Sequence, residues 1–178
     1  MRNGAWRRLH TIDACQLLDL SRAFKYEQGS VEQLAILAAQ CRNQTSARMR
    51  LFSWLVFNVL AGNSDAHLKN LSFLVSSGVI QLAPFYDLLS VTAYGTPAYQ
   101  KNDWSNRASF AWEILGTRYY EDFDRALMPR TAEIMGISRR ERPNACLTRS
   151  PVRSGARWKI CMVKLRRRTR TCLRRSLI

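Results

Sequence analysis

One apolar helix, and the loop that leaves it, constrain this chain more than anything else in it. Between Ala47 and Ala61, the residues Met49, Leu51, Phe52, Trp54, Leu55, Val56, Phe57, Val59 and Leu60 cover nearly the whole circumference. A helix that is apolar all round belongs in a core, so the remaining chain has to wrap it. Asn58 is the lone polar residue of its last turns. Gly62 follows, and glycine ends a helix in left-handed geometry without a Cβ penalty. The polar loop Asn63-Ser64-Asp65-Ala66-His67-Leu68-Lys69-Asn70 then projects from the end of the most buried element. A rigid scaffold of this kind fixes side chains for chemistry.

The flanking sequence sets further expectations. A helix is expected from Ile12, capped by Thr11, with Asp13 in its first turn and Ile12, Cys15, Leu17, Leu18 and Leu20 on its apolar face. A second is expected after the cap Ser30, with Glu32 and Gln33 in its first turn and Val31, Leu34, Ile36, Leu37 and Ala38 buried. Asn43-Gln44-Thr45-Ser46 reads as a polar turn. Leu71–Val75 and Val79–Ala83 read as a hairpin across Ser76-Ser77-Gly78, ended by Pro84. Gly95-Thr96-Pro97 breaks the chain, and 102–106 is polar around Trp104. Phe110, Trp112, Ile114 and Leu115 open another packed segment, closed by Gly116. Tyr119–Met135 reads as an amphipathic helix with Tyr119, Phe123, Ala126, Leu127 and Ile134 on one side, kinked or split at Pro129. The fold class is therefore α+β, mainly α, with a small β-hairpin beside the polar loop.

Charge divides the chain. The net charge is +15 over 178 residues, which would ordinarily point to nucleic acid or a membrane surface. Through Gly136, however, 14 basic residues face 12 acidic ones, whereas beyond it 14 face the single acid Glu141. Residues 1–136 are expected to form the domain, and 137–178 an arginine-rich tail, disordered or frame-shifted. The five cysteines are odd in number and form no C-x-x-C pair, which excludes a disulfide framework or zinc site and fits reduced thiols. The apolar run 51–62 is interrupted by Ser53 and Asn58 and falls short of the roughly 18 residues of a membrane span. A cytoplasmic protein without a membrane partner is the expectation.

The loop carries the ingredients of phosphoryl transfer. That chemistry needs a carboxylate for the nucleophile's proton, oxygen ligands for magnesium, and support for phosphate charge. Asp65 and Asn70 stand at the D-x-x-x-x-N spacing of a protein-kinase catalytic loop, and Asp87 arrives after the hairpin as a second acid. Asp65 is then the base, Asn70 and Asp87 are the magnesium ligands, and His67 and Lys69 support phosphate charge or orient Asp65. Taken singly, each residue reads as a turn or a cap, because Asp and Asn favour both. Only the ordered set favours chemistry.

Residues 58–70 together with Leu82-Ala83-Pro84-Phe85-Tyr86-Asp87-Leu88-Leu89-Ser90 resemble the C-terminal lobe of HipA-family kinases, toxins of bacterial toxin–antitoxin pairs. Arg8-Leu9-His10 through Lys25-Tyr26-Glu27 resembles the segment preceding that lobe's core. The D-x-H-x-x-N core is also similar to phosphoinositide-3-kinase-like enzymes. The resemblance implies a kinase-like C-lobe and serine/threonine protein kinase activity, with ATP as phosphate donor and Mg2+ as cofactor. It places the catalytic aspartate on Asp65 and the metal ligands on Asn70 and Asp87. It also implies a helix-turn-helix antitoxin as partner and a protein substrate such as an aminoacyl-tRNA synthetase.

No glycine-rich loop precedes Asp65, since Gly4 and Gly29 are isolated. The expectation is therefore a truncated kinase, inactive alone and dependent on a partner chain for its nucleotide-binding N-lobe. Other readings are a non-catalytic interaction module, a gene remnant, or a basic nucleic-acid binder acting through residues 137–178.

Overall fold

A computed structural model describes residues 8–90 and 108–138. Their element order is β1 (His10–Asp13), α1 (Ala14–Leu17), α2 (Val31–Gln40), α3 (Gln44–Ala61), β2 (Ser72–Ser76), β3 (Val79–Leu82), β4 (Ser109–Ile114), β5 (Thr117–Tyr119) and α4 (Leu127–Ile134). Single 3-10 turns lie at Arg22–Phe24, Leu68–Asn70 and Tyr120–Asp122. The described residues are α+β, with four helices and two small antiparallel sheets, β1-β2-β3 and β4-β5.

Helix α3 forms the centre. It begins at Gln44 because the Asn43 side chain accepts a hydrogen bond from the Ser46 N–H at 3.0 Å, so the expected polar turn is instead an N-cap and first turn. Leu51, Phe52, Trp54, Leu55 and Val59 are buried, but Phe57 is 44% exposed. The apolar circumference is thus not covered on every side. Gly62 ends the helix at φ 66°, as expected, its N–H reaching back to Asn58 and Val59. Helix α2 packs on α3, and α4 packs on α2. Ser30 caps α2 through the Gln33 N–H, with Val31, Leu34, Leu37 and Ala38 buried but Ile36 turned to solvent.

The N-terminal segment departs from expectation. Thr11 and Ile12 are extended, paired with Leu74 and Phe73 of β2, and add a third strand to the hairpin. Strand pairing satisfies this backbone in a way that a short isolated helix, costly to nucleate, does not. The helix starts only at Ala14, where Asp13 and Gln16 cap each other's backbone N–H groups at 2.9 Å. The β2–β3 hairpin is present, but its turn is two residues, not three. Ser77 (φ 50°) and Gly78 (φ 75°) both adopt the positive φ of a turn that matches strand twist.

The packed segment after residue 108 is a second hairpin, β4–β5, turned at Leu115 and Gly116. The helix expected over 119–135 shrinks to α4. Pro129 is its third residue, in the first turn, where an N–H has no helical acceptor, so it neither kinks nor splits the helix. Burial follows Met128, Thr131, Ala132 and Met135, and Ile134 is 40% exposed. The stripe at i, i+3, i+4 and i+7 sets the buried face one step away from the expected one. Packing extends to Ile137, which is buried. The expectations for Gly95-Thr96-Pro97, for 102–106 and for the tail from 139 lie outside the described residues. No helix among the described residues is long and apolar enough to cross a membrane.

Candidate active site

The loop after α3 is built on two buried amides. Asn58 donates from Nδ2 to the Trp54 carbonyl at 2.8 Å, one helical turn back, and its Oδ1 accepts from Asn63 Nδ2 at 2.8 Å. Asn63 Oδ1 in turn accepts the Asp65 N–H at 3.1 Å, and Asn63 Nδ2 also donates to the Asp87 carbonyl at 3.2 Å. One side chain, only 3% exposed, therefore fixes the backbone of both acidic segments. A buried polar group with all its partners satisfied gives rigidity of this kind.

Downstream the loop closes on itself. The His67 N–H reaches the Asp65 carbonyl at 2.9 Å, and the Asn70 N–H reaches the His67 carbonyl at 3.0 Å. Asn70 Nδ2 donates to the Asp65 carbonyl at 3.0 Å. This leaves Asn70 Oδ1 without a hydrogen bond among the described residues. Trp112 of β4 grips the loop from outside, donating from Nε1 to the Ala66 carbonyl at 3.1 Å.

The segment that leads to Asp87 has clamps of its own. Arg50 of α3 donates to the Leu82 and Ala83 carbonyls, both at 2.8 Å, and its guanidinium lies 5.2 Å from the Phe85 ring centroid. The Tyr86 hydroxyl donates to the Lys69 carbonyl at 2.8 Å and lies 2.9 Å from the Ser72 hydroxyl. Asp87 itself is exposed and holds a left-handed φ of 56°, a strained value for a residue with a Cβ.

Each residue singled out from the sequence has a definite place. Asp65 is exposed, with Oδ1 accepting from the Tyr26 hydroxyl at 2.6 Å. His67 is 8% exposed and packs against the Tyr26 ring in a T-shaped pair, centroids 5.1 Å apart. Burial, with Lys25 adding to it, pushes the His67 imidazole below its ordinary value, against the pull of its own backbone, Asp65 and Asp87. The imidazole is therefore neutral at pH 7, and its Nδ1 is buried with no hydrogen-bond partner among the described residues. Lys69 lies 4.0 Å from Asp13, a half-exposed pair, and not against Asp65. Among the described residues no three His, Cys, Asp or Glu side chains gather as a metal cluster. The donors on offer are Asn70 Oδ1 and the Asp87 carboxylate. These are hard oxygens, the ligand type that a small divalent cation takes.

The profile of the HipA-like C-terminal domain matches residues 2–149. The chain belongs to the HipA-like C-terminal domain family. This HipA-like domain is 39% identical over 101 residues to the serine/threonine-protein kinase toxin HipA of Shewanella oneidensis, a match covering 49% of this chain and 23% of that protein. It is 34% identical over 96 residues to Y4mE of Sinorhizobium fredii, covering 52% of this chain and 23% of that one. Among solved structures it is similar to HipA of Shewanella oneidensis MR-1 in complex with HipB and operator DNA, with a TM-score of 0.64 and 29% identity. That likeness covers 79% of this chain and 34% of the other. The HipA-like domain thus spans a minor part of the length of the relatives it matches.

Some residues that build the site of this HipA-like domain went unrecognised in sequence. Asn63 stood only as one residue of the polar loop, and Gly29 as an isolated glycine. Asn58 did leave a signal, as the one polar residue closing an apolar helix. Tyr26 and Trp112 left none, because their partners are 39 and 46 residues away.

Proposed function

We propose that this HipA-like domain is the phosphotransfer half of a serine/threonine protein kinase of the toxin–antitoxin type. Asp65 accepts the proton of a substrate hydroxyl as that oxygen attacks the γ-phosphate of ATP. Asn70 Oδ1 and the Asp87 carboxylate are the groups that would hold magnesium, which when bound offsets phosphate charge. Neutral His67 stiffens the loop against Tyr26 and supplies no charge of its own.

The observation that carries this reading is the Asn63 amide, which ties the Asp65 N–H and the Asp87 carbonyl to one buried anchor. A pair of surface turns would need no such anchor. The kinase named among the relatives supports the same reaction class. The antitoxin-bound neighbour supports a helix-turn-helix antitoxin as partner. The substrate is proposed, on the family resemblance alone, to be a protein hydroxyl, as on an aminoacyl-tRNA synthetase. A nucleotide-binding lobe is proposed to act with this domain.

The test is calorimetric titration with ATP, with and without magnesium. It is run on the chain alone and on the chain supplemented with the part of the Shewanella oneidensis kinase that it does not match. Binding in at least one arrangement should require magnesium and weaken tenfold or more in Asp87→Ala. Absence of nucleotide binding in both arrangements contradicts the proposal.

A further inference from the structure

The segment around Tyr26 reaches the loop from far away in sequence. The Tyr26 hydroxyl donates to Asp65 Oδ1 at 2.6 Å, within the short range of charge-assisted O–H···O⁻ bonds. Asp65 Oδ2 makes no hydrogen bond or ion pair among the described residues. One oxygen of the carboxylate is tied and the other is open.

Tyr26 is itself held on three sides. The Lys25 carbonyl accepts the Leu68 N–H at 3.2 Å, which joins the tyrosine's backbone to the loop's 3-10 turn. The ring forms a T-shaped pair with buried His67, at an interplanar angle of 74°. Lys25 Nζ lies 4.6 Å from the ring centroid. Three residues on, Gly29 lies under the Trp112 indole so closely that a Cβ there would come 2.4 Å from Cγ, and the same indole donates to the Ala66 carbonyl. Trp112 thereby bridges the Tyr26 segment and the Asp65 loop.

We infer that Tyr26 is a positioning residue for the Asp65 carboxylate: its hydroxyl holds Oδ1 and leaves Oδ2 to take the substrate's proton. An exposed aspartate on a loop otherwise turns freely about its side-chain torsions, and misplacement of a base by about 1 Å can cost 10²-fold in rate. The bond to Asp65, and then burial, hold the Tyr26 phenol above its ordinary value, the reciprocal mark of the same contact. The inference rests on Asp65 being the base.

The test combines kinetics with a titration that needs no turnover. Tyr26→Phe keeps the ring on His67 and removes only the hydroxyl. It should lower kcat for phosphotransfer about 10- to 100-fold with KM within about twofold. In parallel, NMR of 13C-labelled tyrosine should show the Tyr26 phenol titrating at lower pH in Asp65→Asn than in the unaltered chain. Unchanged kcat in Tyr26→Phe overturns the inference, as does an unmoved Tyr26 titration in Asp65→Asn. Full turnover in Asp65→Asn removes the base assignment itself, a different failure from loss of turnover in Asp65→Asn with full turnover in Tyr26→Phe. Where no turnover is measured, the titration alone decides.

Discussion

Asn63 and Asp87, 24 residues apart in sequence, are joined by a hydrogen bond of 3.2 Å from the Asn63 amide to the Asp87 carbonyl. The same amide nitrogen also donates to Asn58. The two acidic segments therefore share one anchor at the C-terminal end of α3, which ties the backbone of each to the same buried amide.

Removing that anchor should cost both stability and rate. Asn63→Ala strands Asn58 Oδ1 and the Asp87 carbonyl, and a buried unsatisfied polar group costs about 1–3 kcal/mol. Asn58→Ala removes two bonds of the same network, those with Asn63 and with the Trp54 carbonyl. In denaturant unfolding the double variant should cost less than the sum of the singles, because the two residues act as a unit. Strict additivity would separate them.

Gly29 should tolerate no side chain. A Cβ would lie 2.4 Å from Trp112 Cγ and 2.9 Å from its Cβ, atoms near the backbone that cannot swing aside. Gly29→Ala is predicted to lose about 1–3 kcal/mol, as overpacking does, and to shift the tryptophan fluorescence. Unaltered stability and emission would mean that Trp112 does not rest there.

Acid should destabilise the fold through His67. In the unfolded chain this imidazole binds its proton near its ordinary value of about 6.5. In the fold, burial and Lys25 depress it. As pH falls below about 6.5 the unfolded state takes up a proton that the folded state does not, so stability present at neutral pH is lost toward the lower folded value. His67→Gln should flatten the stability profile between pH 7.5 and 5.5. Equal slopes in the two proteins would show that His67 contributes nothing.

Much of this was legible in sequence, and the reason lies in local pattern. The apolar run of α3, the stop at Gly62, the Ser30 cap and the β2–β3 hairpin each follow from residues within a few positions of one another. The spacing of Asp65 and Asn70 can likewise be read within a single loop. Strand β1 was not, because Thr11 and Ile12 take their conformation from Leu74 and Phe73, some sixty residues on. Nor was the β4–β5 hairpin, whose turn uses Leu115 at φ 50°, a residue rarely found there. Lys69 read as support for a phosphate or for the orientation of Asp65; its contact with Asp13 at 4.0 Å could not be read, because Asp13 was assigned to a helix in sequence. The support of Asp65 by Tyr26 depends on a contact across 39 residues that no local pattern encodes.

The central claim is that Asp65 serves as the base of a phosphotransfer reaction, and phosphate transfer from γ-labelled ATP to protein tests it most directly. The assay compares the unaltered chain with Asp65→Asn, each alone and supplemented with the unmatched part of the Shewanella oneidensis kinase. The account predicts magnesium-dependent labelling of serine or threonine, reduced about 10²- to 10⁴-fold in Asp65→Asn, the usual contribution of a positioned base. Labelling by Asp65→Asn equal to that of the unaltered chain would contradict it.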